Sequence, residues 1–222
     1  MEDIDDFKID DFFDGDSTEL DFDVDDFNLI DSDDTDPRLV KPSFSKVPMR
    51  VDYKNAEKLV DQIRLFPGEQ LHTIVSGTFV FGDFIEALVY NKNVIVKNMY
   101  ISTLSYSQEN ADSLVGMVRS GRIEKLTLVI SNYFYSHEKR GLLKYFVDQL
   151  GEDLPKVDIL VIRNHTKICL MEISNIKIVL TGSSNLRSSR SIEQFVVQES
   201  PVLYEFYKDF FDDNEKYNIR RI

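Results

Sequence analysis

The first 36 residues carry seventeen Asp and Glu against one cation, Lys8, a net charge of −16, whereas the remaining residues carry +3 within the chain total of −13. This split limits where a core can form. A segment so rich in like charges repels itself and cannot bury enough apolar surface to offset the entropy of ordering. Residues 1–50 are therefore expected to be a disordered acidic tail and linker, bounded by Asp36-Pro37 and Lys41-Pro42, and residues 51–222 the folded domain. Phe7, Phe12, Phe13, Phe22 and Phe27 stand among the aspartates with Leu20, Leu29 and Ile30, an interleaving that suits docking. Two readings stay open for the tail: a solvated appendage, or a segment that folds on a protein partner or covers the chain's own basic groove.

The 42% hydrophobic content suffices for a sizeable domain, and its distribution indicates alternating elements. Leu59, Ile63 and Phe66 recur at helical spacing after Asn55, a capping residue, and Pro67-Gly68 stops them. Leu71–Val75 reads as a strand, Phe84, Ile85 and Leu88 as one face of a helix, and Asn93–Leu104 as a strand. A helix near Ala111–Arg119 closed by Gly121 leads into a strand at Lys125–Ile130, and a single helix is expected from His137 to Leu150, with Gly151 ending it. Val157–Ile162 is apolar except for Asp158, as expected of a strand covered on both sides. Phe195–Val197 supplies a further strand. Ser200-Pro201 caps and opens a last helix, expected to turn Leu203, Phe206 and Phe210 inward. Strands alternating with helices give an α/β fold, a mixed β-sheet flanked by helices.

Between Asn164 and Gln194 a nucleophile, several anion contacts and a late acid fall within one short stretch. Alternating Leu, Ile and Val predict strands at Thr166–Met171 and Ile176–Leu180 joined by a turn at Ser174–Asn175. Residues two apart in a strand share a face, so His165 and Lys167 converge, an imidazole and an ammonium suited to a phosphate. Gly182-Ser183-Ser184-Asn185 then offers a glycine that lets backbone approach a ligand, followed by hydroxyls and an amide. Cys169 shares the parity of His165 and Lys167 but, as the only cysteine, is read as a small core residue. His72 and His137 lack a following lysine and are read as a side chain near a strand and a helix-start surface residue.

These residues resemble the phospholipase D superfamily, whose motif is His-x-Lys, four residues, Asp, about six residues, then Gly-Ser-x-Asn. His165, Lys167, Gly182, Ser183 and Asn185 match it, over roughly Val157 to Gln198. Glu172 stands where the family has Asp, and nine residues separate it from Gly182, as a longer hairpin would require. The resemblance implies a phospholipase D-like sandwich, a structural role for Glu172 and Gly182, and a histidine-orienting acid for which Glu193 is the candidate. It implies a phosphodiesterase working through a phosphohistidine, with His165 as nucleophile and Lys167, Ser183 and Asn185 holding the phosphate. Family chemistry uses two histidines and this chain has one motif, so the resemblance implies a homodimer with a shared cleft. No metal and no cofactor is expected.

Lys177, Arg187 and Arg190 lie near the motif, and a body that is mildly basic suits nucleic acid, DNA or RNA, making a nuclease the first reading. The alternative is a catalytically degenerate member that binds nucleic acid or a protein. Met1-Glu2-Asp3 opens an acidic run and not a secretion signal, and uncharged stretches such as Gln70–Gly82 are too short for a membrane span, so a cytoplasmic location is expected.

Overall fold

The computed structural model describes residues 38–40, 49–50, 56–64, 68–75, 80–187, 192–212 and 220–222. The elements in chain order are β1 (Arg38–Val40), β2 (Met49–Arg50), α1 (Ala56–Asp61), β3 (Gln70–Val75), α2 (Phe81–Asn91) and β4 (Val96–Thr103). Then follow α3 (Gln108–Arg119), β5 (Ile123–Ser131), α4 (Asn132–His137), α5 (Leu142–Leu150), a tight 3₁₀ turn (Gly151–Lys156) and β6 (Val157–Ile162). The chain closes with β7 (Ile168–Ile173), β8 (Ile176–Gly182), β9 (Glu193–Glu199), α6 (Pro201–Asp212) and β10 (Arg220–Arg221). The rest of the acidic stretch 1–50, Asn55, Phe66 and Pro67 lie outside the described residues, while Arg38–Val40 and Met49–Arg50, inside the stretch read as linker, form strands.

Among the described residues ten strands form one mixed sheet in the order β10-β6-β5-β4-β7-β8-β9-β3-β1-β2. β4, β5 and β6 run parallel, as helical crossovers require, and β4, β7, β8, β9 and β3 pair antiparallel in succession. The middle of the sheet is buried on both faces because its strands alternate between two cores, whereas β3 leaves His72 and Ile74 exposed. Cys169 and Met171 of β7 join the core shared with α1, α2, α3 and α5, while Ile168 and Leu170 join the core under Tyr204 and Phe211 of α6. β6 divides the same way, with Val157, Ile159 and Val161 on one side and Leu160 and Ile162 on the other, so its apolar run needs no alternation with polar residues.

Several expected elements change extent. The single helix over 137–150 is two helices. Ser131 Oγ accepts from Phe134 N at 2.9 Å and starts α4 early. Gly141, at φ 72 in the left-handed region, turns the chain, and Glu138 accepts from Leu142 N at 2.8 Å to start α5. His137 accordingly ends α4 and does not begin a helix. α3 starts at Gln108 because Ser107 and Asn110 form a reciprocal capping box. α6 is rotated by about one residue from expectation: Phe206 is 66% exposed, Tyr204 and Phe211 are buried, and Leu203, Tyr207 and Phe210 pack at the margin. Its aromatics surround the axis, so periodicity alone does not select a face. None of the helices among the described residues is long and apolar enough to cross a membrane.

This topology brings chemistry to one edge of the sheet. The C-terminal ends of β3, β4, β5, β6 and β8 and the first residues of β7 and β9 lie there, as the pairings Ser102↔Ile168, Ser131↔Ile162, Gly182↔Phe195 and Val75↔Glu193 require. Open α/β sheets bind ligands beyond the carboxyl ends of their strands, where neighbouring connections diverge.

Candidate functional site

The loop from β6 to β7 carries His165, and Asn164 determines its path. The Asn164 amide is buried and donates to Ser102 Oγ at 2.8 Å and to the Thr103 carbonyl at 3.4 Å. Its carbonyl oxygen accepts from Thr166 N at 2.8 Å and Thr166 Oγ1 at 2.7 Å, while Ser102 and Thr166 share a 2.6 Å hydroxyl contact. An asparagine that captures the backbone N–H two residues on makes a local turn. Consequently β7 begins at Ile168 and not at Thr166 as the alternation predicted.

His165 and Lys167 meet even though they lie before the strand. The Lys167 ammonium is 2.7 Å from the His165 carbonyl, 3.0 Å from Nδ1 and 3.4 Å from Nε2. His165 is exposed and Lys167 is buried at 9% exposure. Desolvation, reinforced by the Lys167 charge, lowers the His165 pKa below the ordinary imidazole value and favours the neutral ring. Desolvation also lowers the Lys167 pKa, and the Glu193 carboxylate opposes that shift.

The Gly182–Asn185 turn comes up beside them. A Cβ on Gly182 would stand 2.3 Å from the Gln194 carbonyl oxygen and 2.6 Å from Phe195 Cβ, so the close approach of β9 requires glycine. Ser183 N donates to the Gln194 carbonyl at 2.9 Å, and Ser183 Oγ donates to Glu193 while accepting from Gln194 N at 3.1 Å. Asn185 Oδ1 accepts from Leu104 N at 3.2 Å and Thr103 Oγ1 at 3.5 Å. That anchorage leaves the Asn185 amide N–H groups without a hydrogen-bond acceptor among the described residues. Ser184 is buried and its hydroxyl has no hydrogen-bond partner among the described residues.

His165, Lys167, Ser183, Asn185 and Glu193 thus gather at one edge. Glu172 and Lys177 are elsewhere: they pair at 2.9 Å next to the hairpin turn, Asn98 donates to Glu172 at 2.6 Å, and the Lys177 ammonium lies 4.4 Å over the Tyr204 ring. Arg187 is exposed just beyond Asn185, and Arg190 lies outside the described residues. Cys169 is fully buried, with its thiol pKa pushed up by desolvation. His72 lies exposed in β3. Sequence reasoning missed Ser102, Thr103 and Asn164. The available signal was two hydroxyl residues ending an otherwise apolar strand and an asparagine directly before the histidine. No group of three or more His, Cys, Asp or Glu side chains is placed to hold a metal among the described residues.

No family model and no curated protein matches the chain. Solved structures similar to this chain at low identity include the following three. Phosphatidylserine synthase from Haemophilus influenzae Rd KW20 shows 12% identity and a TM-score of 0.48, over 70% of this chain and 41% of that one. The archaeal chromatin protein TrmBL2, described with a novel mode of DNA binding, shows 11% identity and a TM-score of 0.45, over 66% of this chain and 53% of that one. Polyphosphate kinase from Porphyromonas gingivalis shows 10% identity and a TM-score of 0.48, over 63% of this chain and 25% of that one. This chain therefore spans between a quarter and about half of the length of each.

Proposed function

We propose that this protein is a phospholipase D-like phosphodiester hydrolase that cleaves nucleic acid through a phosphohistidine. The observation that carries the reading is the convergence of an imidazole whose pKa is lowered, a desolvated ammonium and an anchored amide donor, His165, Lys167 and Asn185, at one sheet edge. A phosphate oxygen would replace the His165 ring as the acceptor for Lys167, freeing the imidazole. Asn185 and Ser183 would donate to the remaining nonbridging oxygens, and their hydrogen bonds strengthen as negative charge builds on them.

In this mechanism neutral His165 attacks phosphorus, the bond to the leaving oxygen breaks, and that oxygen takes a proton from the imidazolium of His165 of the partner subunit. Water then gives its proton to this second, now neutral, histidine. The hydroxide displaces His165 from phosphorus and returns both rings to their starting states. One motif per chain makes a homodimer with a shared cleft the matching assembly. Glu193 has the role of holding charge beside Lys167 and, with substrate bound, orienting the imidazole. A second reading, a nucleic-acid or protein binder that does not turn over, is favoured by one observation: Glu193 engages the Ser183 hydroxyl and not the His165 ring.

The test is cleavage of labelled single- and double-stranded DNA in EDTA, with light scattering on the same samples. We expect EDTA-resistant turnover by a dimer, at least ~10³-fold lower in His165→Ala and impaired in Glu193→Gln with the fold retained. Equal turnover in His165→Ala would exclude the nucleophile, and a fully active monomer would exclude the shared cleft.

A further inference from the structure

The Gly182–Asn185 turn leaves β8 and reaches past β7, the strand between, to the end of β4. β4 closes with Ser102 and Thr103, whose side chains point to opposite faces of the sheet, as those of successive strand residues do. Ser102 takes the Asn164 amide and the Thr166 hydroxyl, and so supports the loop that carries His165. Thr103 serves the other half of the site. It is 1% exposed, and its hydroxyl donates to the Ser105 carbonyl at 2.9 Å, accepts from Leu186 N at 3.3 Å and lies 3.5 Å from Asn185 Oδ1.

The orientation of the Asn185 amide follows from these contacts. Leu104 N stands 3.2 Å from one of the two terminal atoms of that side chain, and a backbone N–H only donates, so the atom facing it is the oxygen. The amide hydrogens are thereby turned away from β4 and left for another acceptor. One hydrogen bond leaves an amide free to pivot, which makes the backbone beyond it as important. Leu186, the next residue, is held on both sides, its N–H by Thr103 Oγ1 and its carbonyl by Gly82 N of α2 at 3.0 Å. Thr103 therefore touches both the amide oxygen and the chain that carries it. Its β-branched side chain is stiff at χ1, so the hydroxyl keeps one position.

We propose that Thr103 is a positioning residue that fixes Leu186 and the Asn185 carbonyl oxygen, aiming the Asn185 amide hydrogens at a nonbridging oxygen of the phosphodiester as negative charge builds on it. Being buried, Thr103 touches no substrate and acts through Asn185. The end of β4 then aligns both halves of the site, with Ser102 on the side of the nucleophile and Thr103 on the side of the anion donor. This inference rests on the phosphodiesterase reading above and adds to it the residue that aims the donor. A donor aimed before the charge develops needs no reorganisation during the reaction, and deleting one such donor lowers kcat by about 10²–10³-fold.

The test is a double-mutant cycle in the full chain, with hydrolysis of bis(4-nitrophenyl) phosphate in EDTA and urea unfolding followed on each protein. Thr103→Val keeps the shape of the side chain and removes the hydroxyl. It should lower kcat by about 10- to 10²-fold with little change in KM, while Thr103→Ser, which keeps the hydroxyl, should stay near the wild-type rate. Asn185→Ala should lower kcat further, and in that background Thr103→Val should cause no additional loss of turnover while still lowering the urea midpoint. An equal loss of turnover from Thr103→Val in both backgrounds would reduce Thr103 to a structural residue and overturn the proposal, as would an unchanged rate in Thr103→Val alone. A second measurement depends on neither turnover nor a substitution: inorganic phosphate titrated into isotope-labelled wild type should shift the Asn185 side-chain amide resonances, and no shift would overturn the proposal. Phosphate shifts that Thr103→Val abolishes, with no cleavage of the diester by any of the proteins, would remove the hydrolase reading and leave the role of Thr103 standing.

Discussion

Replacing Asn164 by alanine should release the loop that carries His165, and the cost can be worked from its contacts. The side chain makes three short hydrogen bonds, 2.8 Å to Ser102 Oγ, 2.8 Å from Thr166 N and 2.7 Å from Thr166 Oγ1. At ~1 kcal/mol net for each, their loss costs about 3 kcal/mol. Little further penalty for a stranded group is expected, because buried Ser102 keeps its 2.6 Å contact to Thr166, the exposed Thr166 can turn to water, and the Thr103 carbonyl loses only a long 3.4 Å contact. For a body of this size that loss lowers Tm by about 6–12 °C. Urea unfolding should show a lower midpoint at unchanged m-value, since the surface exposed on unfolding hardly differs. Thr166→Val, which removes only the hydroxyl contacts, should cost about 1–2 kcal/mol. Asn164 touches no substrate in the proposed reaction, so its effect on turnover is one of positioning. Misplacement of His165 by about 1 Å should reduce phosphodiester cleavage on the order of 10²-fold, with a smaller change in KM. An Asn164→Ala midpoint indistinguishable from wild type, or a cost no larger than that of Thr166→Val, would refute the claim that this amide holds the loop.

Gly182→Ala should destabilise the fold by about 1–3 kcal/mol in denaturant unfolding, because the added methyl meets the Gln194 carbonyl oxygen at 2.3 Å and backbone cannot move aside as a flexible side chain can. Glu172→Gln should leave cleavage unchanged and alter the pH dependence of stability. Hydrogen bonds from Asn98 and Lys177 hold the Glu172 pKa below its ordinary value, so the wild type gains stability above the unfolded-state pKa and loses it as pH falls through the folded one. The variant should lack that component in acid titrations followed by circular dichroism, and an identical profile would contradict the structural role of Glu172. Removing residues 1–36, with their −16, should tighten nucleic-acid binding at low salt and do so less at high salt. Equal binding by both forms at low ionic strength would show that the tail charge does not act on this site, and its phenylalanines would then be tested against a protein partner.

Periodicity sufficed for whatever depends on a residue and its near neighbours. Val157–Ile162 is legible as a doubly covered strand because six residues in a row avoid charge apart from Asp158. The His165 and Lys167 pair is legible because a spacing of two brings side chains together over a short reach. The Glu172 and Lys177 pair was within reach as well, since a turn at Ser174–Asn175 sets those two opposite each other across the hairpin. Three features required the assembled sheet. Asn164 finds Ser102 62 residues away only because β4 lies beside β7, a neighbour relation that no local pattern encodes. The need for glycine at 182 comes from the Phe195 backbone, which approaches through the pairing of β8 with β9. The sequence reading turned Phe206 inward where the structure leaves it exposed, because Phe206, Phe210 and Phe211 are alike in hydrophobicity and only contact with the second core at Leu170 and Val179 selects which of them is buried. Local chemistry specifies elements and near pairs. The partners of a side chain across the sheet follow from strand order, which the chain acquires only by packing both faces at once.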